Sequence, residues 1–209
     1  TRQRIDTGPF RALIELMPES APVNPAEPGL EVSTSFVRNR NVLIAQADFT
    51  DLYVDYYLHL ADQRMKPAPG HDMLFKRALA GFVLHSATRP WNEITAWTIN
   101  IQDPLVNLFF VGDNDTGTVT GRIFDENVKV LPDNLFYADV VRGNQPKRRS
   151  TVSFKGADPL AGLETFYAQS EQRVARLFEV GGEHFALAVE QPDCDLAWLR
   201  GLNTQQFAD

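Results

Sequence analysis

Cysteine is almost absent from this sequence, since Cys194 is the only one among 209 residues. A zinc site built from four thiolates needs four cysteines, and a disulfide within the chain needs two. We therefore expect no cofactor and no metal in this chain. Asp193 and Asp195 flank Cys194 and disfavour its thiolate, whereas redox-sensing cysteines lie in positive surroundings. We interpret Cys194 as an incidental thiol rather than a redox sensor.

Other patterns that identify a function class are missing too. No run approaches the roughly 20 apolar residues of a membrane span, and no secretion signal opens the sequence. We therefore expect a cytoplasmic protein without membrane partners, with an organelle matrix as the alternative. Gly-rich phosphate loops are absent, which argues against an ATP-driven cycle. The histidines do not fall at the spacings of metal ligands; they are His59, His71, His85 and His184.

One oxygen-rich segment, Asp113-Asn-Asp-Thr-Gly117, is similar to the first half of a calcium loop. Such a loop is closed by a bidentate glutamate at its twelfth position, and here that position holds Phe124. We interpret the segment as a hairpin turn.

The charge balance excludes a further class of partner. The formal net charge is −7 and the isoelectric point is near 5.1, whereas nucleic-acid binding draws on clustered Lys and Arg. The exception is Lys147-Arg148-Arg149. We interpret this basic run as an exposed strand start that discourages edge pairing, with a patch for RNA or an acidic partner as the alternative.

Hydrophobic periodicity predicts the organisation of the chain. Residues 1–31 hold a short apolar segment, Phe10–Met17, predicted as an added strand, and a Pro-rich arm that cannot form a helix. We predict a strand over Ser33–Ala45, a helix with Phe49, Leu52, Tyr53, Tyr56 and Leu60 on one stripe, and a second helix over Asp72–Ser86. After Pro90 the pattern favours strands joined by turns at Asp113–Gly117 and Gly181-Gly182. The predicted class is α+β, with helices packed on one side of a largely antiparallel or mixed β-sheet.

Within this sheet, Trp97, Ile99 and Ile101 alternate at period two and share one face. Three large apolar side chains in a row form either a docking patch for another protein or plain core, and the core is the commoner outcome. We keep both interpretations.

The segment Asp158–Gln172 carries the most specific local pattern. Asp158 suits a helix N-cap and Pro159 the first helical position. An apolar stripe follows, made of Leu160, Leu163, Phe166 and Tyr167. No Gly-x-Ser-x-Gly turn surrounds Ser170, so we predict no catalytic residue and no enzyme. We interpret Tyr167, Ser170, Glu171 and Gln172 as structural residues at a junction between a helix and a strand.

These residues resemble those of a known family. Phe166-Tyr-Ala-Gln-Ser-Glu-Gln172 is similar to the signature of heat shock protein 33, a redox-regulated holdase chaperone. Further similarities follow in the family's order, in His71–Thr88, Glu93–Leu105, Asn107–Val111 and Ser150–Gly156. The resemblance covers residues 32–199, which we predict to form the chaperone domain, with residues 200–209 beginning a linker towards a C-terminal region.

The resemblance implies an ATP-independent holdase of the stress response, whose partners are unfolded or partly folded proteins, with a homodimer as a further option. The family's switch is a C-terminal zinc module with a Cys-x-Cys and a Cys-x-x-Cys pair, and this chain holds no such module. Zinc is therefore expected only if a cysteine module follows. The alternative is a structural or assembly subunit that uses the same fold without chaperone activity.

Overall fold

The computed structural model describes residues 3–4 and 29–207. The strands are β1 (Gln3–Arg4), β2 (Ser33–Val37), β3 (Val42–Asp48), β4 (Glu93–Gln102), β5 (Leu105–Asp113), β6 (Thr118–Phe124), β7 (Asn134–Arg142), β8 (Arg148–Phe154), β9 (Ala175–Gly181) and β10 (His184–Glu190). The helices are α1 (Thr50–Asp62), α2 (Pro69–Ala87), α3 (Pro159–Phe166) and α4 (Leu196–Gly201). The predicted strand at Phe10–Met17 lies outside the described residues, and the predicted domain boundaries stay predictions.

The predicted α+β class is confirmed, but the strands form two sheets instead of one. The first sheet has the order β1-β2-β3-β10-β9 and the second has the order β6-β5-β4-β7-β8. Every neighbouring pair of strands is antiparallel. A period-two pattern identifies strands without saying which of them pair, so the sequence alone could not separate the two sheets.

The strand predicted over Ser33–Ala45 is wrong in its extent, because this stretch folds into the hairpin of β2 and β3. Phe36 pairs with Leu43 and Val37 with Val42. Between the strands, Asn41 adopts a left-handed backbone with φ 50°, which asparagine tolerates better than most residues. The polar run from Arg38 to Asn41 was the signal for this turn.

Both predicted helices are present. Helix α1 buries the expected stripe of Leu52, Tyr53, Tyr56 and Leu60. Helix α2 begins three residues before the predicted start because Pro69 occupies its first turn, where a missing N–H donor is harmless. This helix lies between the two sheets, with contacts to β3 and β10 on one side and to β5 and β6 on the other.

Helix α2 approaches the second sheet at two glycines. A Cβ atom on Gly112 would lie 2.8 Å from the Phe82 ring, and one on Gly121 would lie 2.9 Å from the Phe75 ring. Since real Cβ atoms do not approach other atoms so closely, the helix can pack here only because these strand positions lack side chains.

The face of Trp97, Ile99 and Ile101 is core, which corrects its interpretation as a docking patch. These side chains are 1%, 0% and 0% exposed. The Trp97 ring packs 4.9 Å from Phe82 on α2 and 4.8 Å from Phe136 on β7, centroid to centroid. The physical reason is the buried helix α2, which covers this face of β4 and leaves no room for a client.

Burial of this face predicts the response to substitution in β4. We expect Ile99→Ser to lower the free energy of unfolding by about 2–4 kcal/mol or more, because it leaves a cavity and buries a hydroxyl. Ile94→Ser is the matched control on the same strand, since Ile94 is 45% exposed, and it should change stability by less than about 1 kcal/mol. Urea denaturation measures both, and equal losses would contradict the assignment of this face to the core.

Candidate functional site

The segment Asp158–Gln172, which carries the family resemblance, begins with the predicted helix. Asp158 caps α3, since its Oδ1 accepts a hydrogen bond from the Leu160 N–H at 3.0 Å, and Pro159 is the first helical residue. The helix then widens into a π-helical turn over Tyr167–Glu171 and ends at Gln172, which has φ 53°. Strand β9 follows from Ala175. Short π-helical turns are frequent at sites of function, so its contacts define the first candidate site.

Two residues of the signature connect α3 to the end of α2. The Tyr167 hydroxyl lies 2.8 Å from Nδ1 of His85. Glu171 accepts hydrogen bonds from Arg89 at 3.1 Å and from Arg148 at 2.9 Å. Ser170 is partly buried and Gln172 is exposed. Tyr167 and Glu171 therefore tie α3, α2 and β8 together, as a structural role for these residues requires.

Sequence reasoning missed the polar partners of this segment. Arg89 also donates to Glu93 at 2.6 Å, and the Glu93 side chain is only 3% exposed. Buried charges are tolerated when they are paired and hydrogen-bonded, and this arginine bridges two carboxylates. No sequence spacing predicts this pair, because Arg89 lies in the loop after α2 and Glu93 begins β4.

Burial sets the protonation states of His85 and Tyr167. It lowers the pKa of His85 well below its usual value, with a further contribution from the positive charge of Arg89. Burial also raises the pKa of Tyr167 to about 12. Both side chains are therefore neutral near pH 7, and the contact between them is a hydrogen bond of neutral groups.

The buried neutral histidine makes stability depend on pH. An unfolded histidine takes up a proton below about pH 6.5, whereas folded His85 stays neutral to lower pH. We expect the free energy of unfolding to fall as the pH drops below about 6.5, by at most ~1.4 kcal/mol per pH unit from this residue. Urea titrations at several pH values between 7.5 and 5 measure the slope.

Two variants test whether the titration of His85 causes this slope of stability against pH. His85→Gln should flatten it, because the side chain no longer titrates. Tyr167→Phe keeps the burial of His85 and removes only the hydroxyl, so it should lower stability at every pH and leave the slope unchanged. An unaltered slope in His85→Gln would contradict the assignment.

A second candidate site lies on the opposite side of the first sheet. Its strands turn a set of small and large apolar side chains away from the helices, which we call the outer face: Val42, Ile44, Phe178, Ala186 and Ala188. Residues 196–207 lie across this face, and we call them the C-terminal cover. Leu199, Leu202 and Phe207 of the cover are buried against it. The outer face is therefore an apolar surface shielded by one short segment.

Few polar contacts hold the C-terminal cover. Arg40 forms an ion pair with Asp195 at 2.5 Å, and the two side chains are 41% and 34% exposed. Arg176 donates to the carbonyl oxygen of Arg200 at 2.7 Å. Exposed ion pairs contribute little to stability, so the apolar contacts dominate. Among them, the rings of Phe178 and Phe207 lie 4.9 Å apart.

Cys194 packs beside the outer face, just before the cover. Its pKa is raised, chiefly by burial and further by the nearby charges of Glu190 and Asp195. The predicted direction is thus confirmed, but the reason is corrected: burial is the larger cause, and Glu190 acts where the sequence suggested Asp193. A protonated thiol reacts slowly with oxidants.

The remaining candidates from the sequence have ordinary surroundings. Arg148 and Arg149 begin the edge strand β8, as predicted. Lys147 and Arg149 bind Asp139 at 2.9 and 2.6 Å, and the hydrogen bond from Arg149 lowers the pKa of Asp139 to about 2. The segment Asp113–Gly117 turns between β5 and β6. Within residues 3–4 and 29–207, no helix is long and apolar enough to cross a bilayer.

Similarity to known proteins is confined to structure. Neither a protein-family model nor a curated protein matches this sequence. The fold is similar to the crystal structure of a 33 kDa chaperonin from Thermotoga maritima, a heat shock protein 33 homolog, with a TM-score of 0.56 at 14% sequence identity. The similarity covers 84% of this chain and 63% of that one. The chain therefore has a heat shock protein 33-like fold and spans less than two thirds of that neighbour.

The C-terminal cover was also missed by sequence reasoning, which placed a linker from residue 200. Leu202 and Phe207 are only 4% and 3% exposed, so part of the predicted linker packs on the domain. The available signal was the spacing of three between Leu196, Leu199 and Leu202, which follows the capping residue Asp195.

Proposed function

We propose that this chain is an ATP-independent holdase that captures unfolded proteins on the outer face of its first sheet when the C-terminal cover leaves. The observation that carries this proposal is an apolar sheet face shielded by a single short segment. The name of the structural neighbour, a chaperonin, supports the same function class.

The composition of the outer face suits segments of varied sequence. Ala186 and Ala188 form a shallow floor between the larger side chains of Ile44 and Phe178. A floor of small residues with apolar walls accepts different side chains, because hydrophobic contact is non-directional. The formal net charge of −7 disfavours association between copies of such a protein in solution.

The C-terminal cover is suited to leave without unfolding of the domain. Helix α4 has only six residues, far fewer than an isolated helix needs to be stable in water. The cover is therefore ordered by its contacts with the sheet and not by its own helical preference. Segments of this kind open locally at lower free energy than the core.

The proposal predicts how the cover controls client capture. The chain should suppress the aggregation of a chemically unfolded test protein without ATP, as measured by light scattering. Leu202→Asp and Phe207→Asp should increase the suppression at equal concentration, because each ~1.4 kcal/mol removed from the cover raises the uncovered population about tenfold. Val130→Asp is the matched control, since Val130 is 75% exposed, and it should behave as the parent chain.

Two outcomes would contradict the proposal. Unchanged aggregation of several unrelated clients with all variants would leave the alternative, a structural or assembly subunit. A loss of suppression in the cover variants, with the fold retained by circular dichroism, would mean that the cover itself binds clients.

The single, partly buried thiol predicts that client capture is insensitive to peroxide. Because Cys194 has no second cysteine to pair with, peroxide and thiol reductant should leave the suppression unchanged in the parent chain and in Cys194→Ser. Zinc should be substoichiometric by elemental analysis, since a thiolate site needs several cysteines. A several-fold oxidative gain that Cys194→Ser abolishes would contradict this expectation.

A further inference from the structure

Helix α1 carries a second apolar stripe on the side that does not face the core. Val54, Tyr57 and Leu58 are 51%, 44% and 63% exposed. The spacings of three and four from Val54 place Tyr57 and Leu58 with it on one face of α1. Met65 lies after the end of the helix and is 52% exposed, and its N–H donates to the carbonyl of Leu60, which folds the chain back onto the helix. Core-facing helices of globular domains normally present polar residues here.

The stripe continues into a surface groove. The groove has a volume of about 390 Å³, and its walls include Tyr57, Met65, Pro67 and Pro69. Met73 on the next helix is 57% exposed. Of the nine large apolar side chains that are exposed in residues 29–207, five lie between Val54 and Met73. Such clustering marks interaction sites, whereas single exposed apolar residues do not.

A row of acidic side chains borders one edge of the stripe. Asp51, Asp55 and Asp62 are all exposed, and their spacings of four and seven place them on a single line along α1. The polar contacts of the groove lie on the opposite edge, where the Tyr57 hydroxyl donates to Asp72 at 2.7 Å. The apolar stripe therefore has one strongly negative edge.

The negative edge indicates which of two partners fits this face of α1, a second copy of the chain or a segment of another protein. If a second copy packed α1 parallel to itself about a two-fold axis, the aspartate row would meet the opposite edge, which carries the carboxylate of Asp72. If a second copy packed α1 antiparallel, the same edges of the two helices would meet. The aspartates of one copy would then face the aspartates of the other, which is unfavourable. A segment with basic residues along one edge would instead pair with all three carboxylates.

We propose that the exposed face of α1 binds an amphipathic segment of a partner protein whose apolar stripe is bordered by Lys or Arg. Val54, Leu58 and Met65 bury the apolar side chains of that segment, and the groove receives one of them between Met65 and Pro69. The aspartate row favours a segment whose facing edge is positively charged. This surface is distinct from the outer face, so it does not depend on the holdase proposal.

Two matched peptides test the inference. Both are helical, with leucines at spacings of three and four, and they differ only in carrying lysines or glutamates along one edge. Fluorescence anisotropy with the intact chain should give an affinity about tenfold higher for the lysine peptide at low salt, because three exposed ion pairs are gained. The ratio should fall towards one in ~0.5 M salt.

Variants assign the binding to α1. Leu58→Asp should weaken the lysine peptide about tenfold or more, and the double change of Asp55→Lys and Asp62→Lys should reverse the preference between the peptides. Trp91→Asp should leave both affinities unchanged, since Trp91 is 63% exposed and follows the end of α2 that is remote from the groove. All of these side chains are exposed, so the fold is retained in every variant.

Three results would overturn the inference: equal affinities for the two peptides, no saturable binding of either, or a change of affinity in Trp91→Asp with none in Leu58→Asp. Sedimentation adds a fourth. If the parent chain dimerises and Leu58→Asp is monomeric, a second copy occupies this face.

Discussion

Burial of α2 between the two sheets is the constraint on which the rest of the structure depends. Eleven of its residues, from Leu74 to Ser86, are buried, and from Ala78 to Ser86 no side of the helix faces water. Each sheet must then offer a surface that follows the helix closely, and the glycines of β5 and β6 serve the second sheet in this way. On the other side of α2, a Cβ on Gly81 would come within 3.2 Å of Leu160. The glycine at this position therefore lets α3 pack closely against α2, and a side chain there would have to displace Leu160 slightly.

The buried second half of this helix still ends in polar backbone groups, and side chains from the cap and from a distant turn satisfy them. Asn114 donates to the carbonyl oxygens of Ser86 and Pro90, each at 3.1 Å. The Thr88 hydroxyl donates to the carbonyl of His85 at 2.7 Å. The signature segment contributes at the same end through Tyr167. Tyr167, one of the residues that carry the family resemblance, therefore packs against the last turn of the central helix.

Local patterns predicted the fold class, both long helices, the cap at Asp158 and the two glycine-containing turns, because each of these depends on residues close in sequence. The pairing of strands could not be predicted from the sequence. For example, β3 pairs with β10, and no residue pattern in either strand identifies the other as its partner. The pattern of Trp97, Ile99 and Ile101 favoured core over a docking patch without excluding the patch, and the position of α2 over them decides for the core. The outer face was hidden for the same reason: alternate residues of β3 and β10 are apolar on both sides, so neither side is marked as the exposed one.

The C-terminal cover and the outer face belong to one chain. A segment from another protein must therefore compete with a tethered segment for the outer face. A tethered segment acts at an effective concentration set by its tether, of millimolar order for short connections. Only three residues, Gln191 to Asp193, separate the end of β10 from Cys194 at the edge of the face. Under the function that we propose, an incoming chain would displace the cover only when it binds more strongly than Leu199, Leu202 and Phe207 do, or when many of its segments are presented at once. A long-lived, extensively unfolded protein would meet the second condition, and a briefly frayed native one would not.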